Sequence, residues 1–437
     1  MALTLSICGV TSICIMIAIL VKPEIKIKRF KVGTYWLIAL FGAIILFATS
    51  SVTFREFGQA LTASTSVNPL KILTIFLSMT LMSIFLDSVD FFKFFADFTL
   101  RRAGKNQFKL FLWLYLIVSI LTVFTSNDII VLTFTPLIIY FCKEGKINPI
   151  PYLITEFVAS NTWSMILIIG NPTNIYLASS VGLTFLEYTS KMVIPTVLCG
   201  FVSLGLMCLL FRKKLKDEIH VDHLVGTIKL HEKVSVGLGL WHLVLCIILL
   251  TISSYVGIEM WYICLGSCVS LFLSVTIYKL IKRERLNTLF VCVKSAPWQL
   301  VPFVLSMFVI VLSLEKCGFT EIFTKFLGER EVTLTYGVSS FLASNVINNI
   351  PMSVFYSSVL SNLEGANLAK GVYASVLGSN LGALLTPIGA LAGIMFSTLV
   401  KSKGVRFSIL DFVKYGAIIS IPTLFAGIAG LYVSNLY

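Results

Sequence analysis

Charged side chains are scarce in this chain of 437 residues: Asp, Glu, Lys and Arg make up 13% of it. Soluble domains carry about 25%. No stretch is polar for long enough to build a soluble domain, so a globular cytosolic protein is excluded. Histidine is scarcer still, with four residues. A metal centre inside a membrane needs several His, Cys or carboxylate ligands brought to one point. His242 is the one histidine in an apolar run, while His220 and His223 fall in a polar loop. The ten cysteines are scattered and form no CxxC pair; Cys264 and Cys268 share a helix face and read as small packing residues. No nucleophile–base pair stands out, which argues against an enzyme.

What remains is apolar: 57% of the residues are hydrophobic. Runs of about 20 such residues, the length that crosses a bilayer, recur from end to end. The first, Ala2 to Val21, lacks a basic leader and a small-residue cleavage site and reads as a retained span. The reading is a multi-pass cell-membrane protein, all α-helical.

The net charge of +13 could suggest nucleic acid, but the positive-inside rule explains it better. Basic residues cluster at Lys22–Lys31, Arg101–Lys109, Arg212–Lys216, Lys279–Arg285 and Lys401–Arg406. Only Arg55, Lys71, Lys191, Lys316, Lys325, Arg330 and Lys370 fall on the other side. The crowded side is cytoplasmic, and no nucleic-acid partner is implied.

Sorting the runs by side gives an inverted repeat of five spans plus one re-entrant hairpin per half. Residues 1–211 form the first repeat, with spans near 2–21, 34–49, 72–95, 149–179 and 192–211 and a hairpin over 107–142. Residues 212–234 are a cytoplasmic linker. Residues 235–437 form the second repeat, with spans near 235–253, 258–278, 291–315, 367–400 and 411–435 and a hairpin over 333–361. The first hairpin turns at Thr125–Asp128. Basic clusters flank both its ends, so it must enter and return.

The repeat predicts paired motifs. Ser126-Asn127 matches Ser344-Asn345, and Ser160-Asn161 matches Ser379-Asn380, at nearly the same offset along the chain. Then come "GNPTN" (170–174) and "TPIG" (386–389), separated from the Ser-Asn motifs by unequal distances. Pro suits the first helical position, with Asn or Thr as N-cap before it. Asn171-Pro172 and Thr386-Pro387 should therefore break spans 149–179 and 367–400 and restart a half-helix. Ser126, Asn127 and Asp128 should cap the helix after the first tip, and Ser344 and Asn345 the helix after the second. Four helix N-termini would then face a midplane site suited to an anion. The bland alternative is that these polar groups only hold helices together.

Candidate substrate-binding residues are Ser126, Asn127, Ser160, Asn161, Thr162, Asn171, Thr173, Asn345, Asn348, Asn349, Ser379, Asn380 and Thr386. Asp128 is the candidate site for a coupling cation, with Asn127, Asn161, Asn345 and Asn380 around it. Glu156, on the broken span, is the candidate proton carrier, because intramembrane carboxylates are functional by default. Asp87 and Asp90 close the third span. No cofactor is implied beyond Na⁺ or H⁺ as coupling ion, and no metal beyond Na⁺.

At these residues the sequence resembles the ion transporter superfamily, and within it the arsenical pump membrane proteins (arsenite permeases). "SNDIIVLTFTPLI" (126–138), "NNIP" (348–351), "LGSNLGALLTPIGALAG" (377–393) and "KGVRFSILDFVKYG" (403–416) carry the likeness. The chain is also similar to the divalent anion/sodium symporters. The resemblance implies a scaffold, an elevator-like transport domain and often a homodimer. It places Asp at the positions of Asn161 and Asn380, where this chain has amides. An amide cannot titrate, so two proton carriers are gone. The expectation is a secondary active transporter of a small anion, oxyanion or carboxylate, working by alternating access. The alternatives are arsenite or antimonite efflux, Na⁺/H⁺ antiport, or an ion channel.

Overall fold

The computed structural model describes all residues except 23, 28–29, 63–67, 217, 220–229, 231 and 435–437. His220, His223 and much of the expected linker lie outside the described residues. The rest is almost wholly helical, as a chain in hydrocarbon must be to bond its own backbone.

The first half contains α1 (Ala2–Val21), α2 (Thr34–Ala48), α3 (Phe54–Thr62), α4 (Pro69–Ser88), α5 (Phe91–Ala103), α6 (Gln107–Phe124), α7 (Asn127–Glu144), α8 (Ile150–Trp163), α9 (Pro172–Ser180) and α10 (Phe185–Phe211). The second contains α11 (Lys233–Val256), α12 (Met260–Ile281), α13 (Asn287–Ser295), α14 (Leu300–Lys316), α15 (Phe319–Leu327), α16 (Val332–Ile347), α17 (Asn349–Leu360), α18 (Gly365–Gly382), α19 (Leu391–Ser402) and α20 (Ile409–Ser434). Among the described residues, eight segments are long and apolar enough to cross a membrane, α6 and the α13–α14 stretch among them. The expected third span, 72–95, ends at Ser88; Asp90 has φ 61° and the chain turns there into α5.

The basic stretch Lys22–Lys31, between the first two expected spans, holds most of a two-stranded antiparallel pair, β1 (Glu24–Ile27) and β2 (Phe30–Gly33). Ile and Val alternate with charged residues there, the period of a strand. The Gly33 N–H donates to Gln299 Oε1 at 2.8 Å, fixing the pair to the start of α14.

The two halves reuse the same packing. α2 lies on α14 and α4 on α12; α6 lies on α8 and α16 on α18; α7 lies on α19 and α9 on α17. The helices that end the halves, α10 and α20, lie against each other. At the α16–α18 contact, a Cβ on Gly378 would collide with the Gly337 carbonyl and the Ser340 hydroxyl. Only glycine lets these backbones approach, the usual device where helices meet in a membrane.

Both broken spans are interrupted alike. Between α8 and α9 lies a 3₁₀ turn, Ile168–Gly170; between α18 and α19 lies another, Pro387–Gly389. Ile168 and Pro387, which open the two turns, are separated along the chain by the same interval as Asn161 and Asn380. This corrects the pairing of Asn171-Pro172 with Thr386-Pro387. Pro387 opens the 3₁₀ turn, and the half-helix α19 starts later, at Leu391. The true counterpart of Asn171 is Ala390, and both are extended N-caps (φ −149° and −147°). Ala390 has no side chain with which to cap.

Candidate functional site

The tips of the two helix pairs come first. At the first, Thr125 and Ser126 are extended and α7 begins at Asn127. Ser126 occupies the N-cap position but its hydroxyl makes no cap bond, contrary to expectation. At the second, α16 continues through Ser344 and Asn345 to Ile347, so neither residue is at the tip. The tip is Asn348, with φ 71°. With ψ 152° it lies outside the αL basin that asparagine commonly visits, in a strained region that the surrounding bonds must hold. Asn348 Oδ1 caps α17 by accepting from Ile350 N–H at 3.3 Å. Pro351 follows within the first turn, where a missing N–H costs nothing. No glycine or proline interrupts Leu342–Ile347, so α16 runs on until Asn348 turns the chain.

The amides then bond to one another. Asn127 Nδ2 donates to Asn161 Oδ1 at 3.1 Å, and Asn161 Nδ2 donates to the Phe157 carbonyl at 2.8 Å. Ser164 Oγ lies 2.9 Å from the Asn161 carbonyl and 3.1 Å from Asn380 Oδ1, bridging the two halves. Asn380 Oδ1 also accepts from Asn171 Nδ2 at 2.7 Å, while Asn380 Nδ2 donates to Asn174 Oδ1 at 2.8 Å and to the Val376 carbonyl at 2.9 Å. Asn174 Nδ2 donates to the Ser164 carbonyl at 2.8 Å, one of those freed where α8 breaks. Asn171 Oδ1 caps α9 at Thr173 N–H, 3.2 Å away.

On the other side, Asn345 Nδ2 donates to the Gly382 carbonyl at 3.0 Å and Thr386 Oγ1 donates to Asn345 Oδ1 at 2.6 Å. Asn348 Nδ2 donates to the Ile388 carbonyl at 2.7 Å. Ser379 Oγ donates to Thr173 Oγ1 at 3.3 Å, and Ser160 Oγ to the Phe157 carbonyl at 3.1 Å. Hydrogen bonds thus tie the first break to α18 through Asn380 and, separately, the second break to α16 through Asn345 and to the second tip through Asn348. Asn345 and Thr386 are half-buried; the other amides and hydroxyls named here are buried.

Ser164 and Asn174 were missed in the sequence reading. Each lies one helical turn after a chosen asparagine, Asn161 and Asn171, and that spacing was the available signal.

Four atoms of the set are left over. Ser126 Oγ, Asn127 Oδ1, Thr162 Oγ1 and Asn349 Oδ1 are buried without a hydrogen-bond partner among the described residues. Each such group costs about 1–3 kcal/mol if it stays unpaired. All four can accept, so they suit a bound cation, and the hydroxyls can also donate to an anion.

The two carboxylates stand apart from the amides. Asp128 lines a cavity of about 540 Å³ bounded by α4, α5, α7, α13 and α19, with Asp87, Lys93 and Thr288 also on its wall. Asp128 makes no hydrogen bond or ion pair among the described residues, while Asp87 Oδ1 accepts from Thr133 Oγ1 at 2.8 Å. Glu156 is fully buried between α7 and α8, its oxygens 3.0 and 2.9 Å from Thr135 Oγ1.

The chain as a whole is similar to known proteins. The profile of the citrate transporter family matches residues 30–369. The arsenical pump membrane protein of Escherichia coli (strain K12) is 26% identical over 368 residues, covering 82% of this chain and 84% of that protein. A putative arsenical pump membrane protein of Bacillus subtilis (strain 168) is 24% identical over 423 residues, covering 90% and 93%. In structure, the YdaH transporter of Alcanivorax borkumensis superposes with a TM-score of 0.56 at 14% identity, over 100% of this chain and 98% of that one. The chain therefore belongs to the citrate transporter family and is a multi-pass transporter of the cell membrane.

Proposed function

We propose that this protein is a secondary active transporter that carries a small anion across the cell membrane by alternating access, with Na⁺ as the coupling ion. The observation that carries this reading is the asparagine network, which ties the N-termini of α7, α9 and α17 to the two broken spans and leaves four buried polar atoms open. Helix N-termini favour an anion. The open amide and hydroxyl oxygens favour Na⁺, and Asp128 adds a negative charge on the wall of the cavity beside α7. Within this reading the anion is held by Asn161, Asn380 and the hydroxyls of Ser126 and Thr162, and Asp128 meets the cation from the 540 Å³ cavity. Its substrate class is a carboxylate or an oxyanion, and the family's citrate transporter description supports the carboxylate.

The two halves act as inverted repeats in this account. α6–α10 and α16–α20 move as an elevator against a scaffold of α1–α5 and α11–α15. Two contacts fit that division: Thr133 of α7 bonds Asp87 of α4, and Ser358 of α17 lies 3.4 Å from Glu315 of α14. A homodimer would brace such a scaffold.

A second reading is arsenite or antimonite efflux, favoured by curated relatives that span 82–90% of the chain. Thermal-shift screening of the purified protein separates the two. Di- and tricarboxylates or oxyanions should raise the melting temperature more in Na⁺ than in choline. Stabilisation by arsenite alone, indifferent to Na⁺, would overturn the first reading.

A further inference from the structure

We infer that the crevice between α1 and α19 binds one anionic phospholipid of the cytoplasmic leaflet. The crevice holds about 620 Å³ and is lined by the end of α1, the 3₁₀ turn Pro387–Gly389, α19 and the chain entering α20. Its chemistry is graded. Ile19, Val21, Ile388, Ile394 and Phe407 supply an apolar wall. Lys401 and Arg406 stand at its rim, exposed and without an ion pair among the described residues. Asp411 also lines it, ionised and accepting from the Ser408 N–H at 3.0 Å and hydroxyl at 2.7 Å, so two cations face one carboxylate and the crevice keeps a net positive charge.

Lys401 and Arg406 belong to a basic cluster that the positive-inside rule places on the cytoplasmic face. An occupant that satisfies both ends has a negative head and an apolar tail. A free anion would pair with the cations and leave the apolar wall against water; a zwitterionic lipid would fill the wall and balance the cations poorly. Basic pockets between transmembrane helices on this face take anionic headgroups. The site joins α1 to the turn whose Ile388 carbonyl receives Asn348, so the lipid would brace the wall of the amide network.

The test is native mass spectrometry of the purified full chain in detergent, titrated with phosphatidylglycerol or with phosphatidylethanolamine of the same acyl chains. One phosphatidylglycerol per chain should be retained at concentrations where the zwitterionic lipid is stripped. Lys401→Gln with Arg406→Gln should weaken that binding by about thirtyfold, from the usual attraction of two basic residues near an anionic surface. Ile394→Trp, which fills the apolar part and keeps both charges, should also weaken it. Millimolar inorganic phosphate should not displace the lipid. Equal retention of both lipids, unchanged binding in the double variant, or displacement by phosphate would overturn the proposal.

Discussion

The Nδ2 of Asn171 donates to the Oδ1 of Asn380 across 2.7 Å, joining two distant parts of the chain. Asn171 caps a half-helix in the first half of the chain, and Asn380 lies near the end of α18 in the second. Asn380 also receives Ser164 and donates to Asn174. One side chain therefore holds three groups from the first broken span. Asn380→Ala should abolish transport and destabilise the protein by about 1–3 kcal/mol for each buried group it leaves unpaired. Proteoliposome uptake and thermal unfolding read the two effects. Normal transport with a lowered melting temperature would reduce the network to packing.

Asn127 and Asn161 bond through their side chains, so their effects should not add. Asn127→Ala and Asn161→Ala, singly and together, form a double-mutant cycle. A coupling energy of about 0.5–3 kcal/mol in unfolding stability is expected. Additive losses would mean that the two amides act separately.

The α16–α18 contact depends on a missing side chain. Gly378→Ala places a methyl against the Gly337 carbonyl, which cannot rotate away. Overpacking of this kind costs about 1–3 kcal/mol. Gly205→Ala on α10, where the added carbon meets nothing within 4 Å, is the control and should cost nothing or stabilise by up to about 1 kcal/mol. Equal melting temperatures for both variants would contradict the close approach.

The first helix pair should return to the face from which it starts. Lys105 and Glu144 are exposed at its two ends. Cysteines placed at each should react with an impermeant reagent from the cytoplasmic side alone. Labelling from opposite faces would contradict the inverted repeat, because the pair would then cross the membrane.

Much of this was legible in the chain. The long apolar runs define the helices, and Asn161 and Asn380 stand out because amides in lipid need a reason. The details that mislead share a cause. Pro387 looks like a helix start by the same rule as Pro172, yet it opens a 3₁₀ turn; local chemistry does not say which kind of turn follows. Ser344-Asn345 copies Ser126-Asn127 in letters, but nothing near it breaks α16, so the tip moves to Asn348. The constant offset between the two breaks appears only when the two 3₁₀ turns are compared. The placement of Asp128 on a cavity wall, turned from the amide of its neighbour Asn127, depends on packing against α4, α13 and α19, which no local pattern encodes.

The central claim is sodium-coupled binding of a small anion, with Asp128 on the cation's path. It is tested most directly by calorimetry of substrate binding, with Na⁺ replaced by choline at constant ionic strength. Linkage requires that Na⁺ raise substrate affinity and that substrate raise Na⁺ affinity by the same factor, about 5–150-fold for ordinary coupling energies. Asp128→Asn should remove both effects. Equal affinity in the two salts, with binding that instead follows pH and is lost in Glu156→Gln, would contradict sodium coupling and make Glu156 the carrier of a coupling proton.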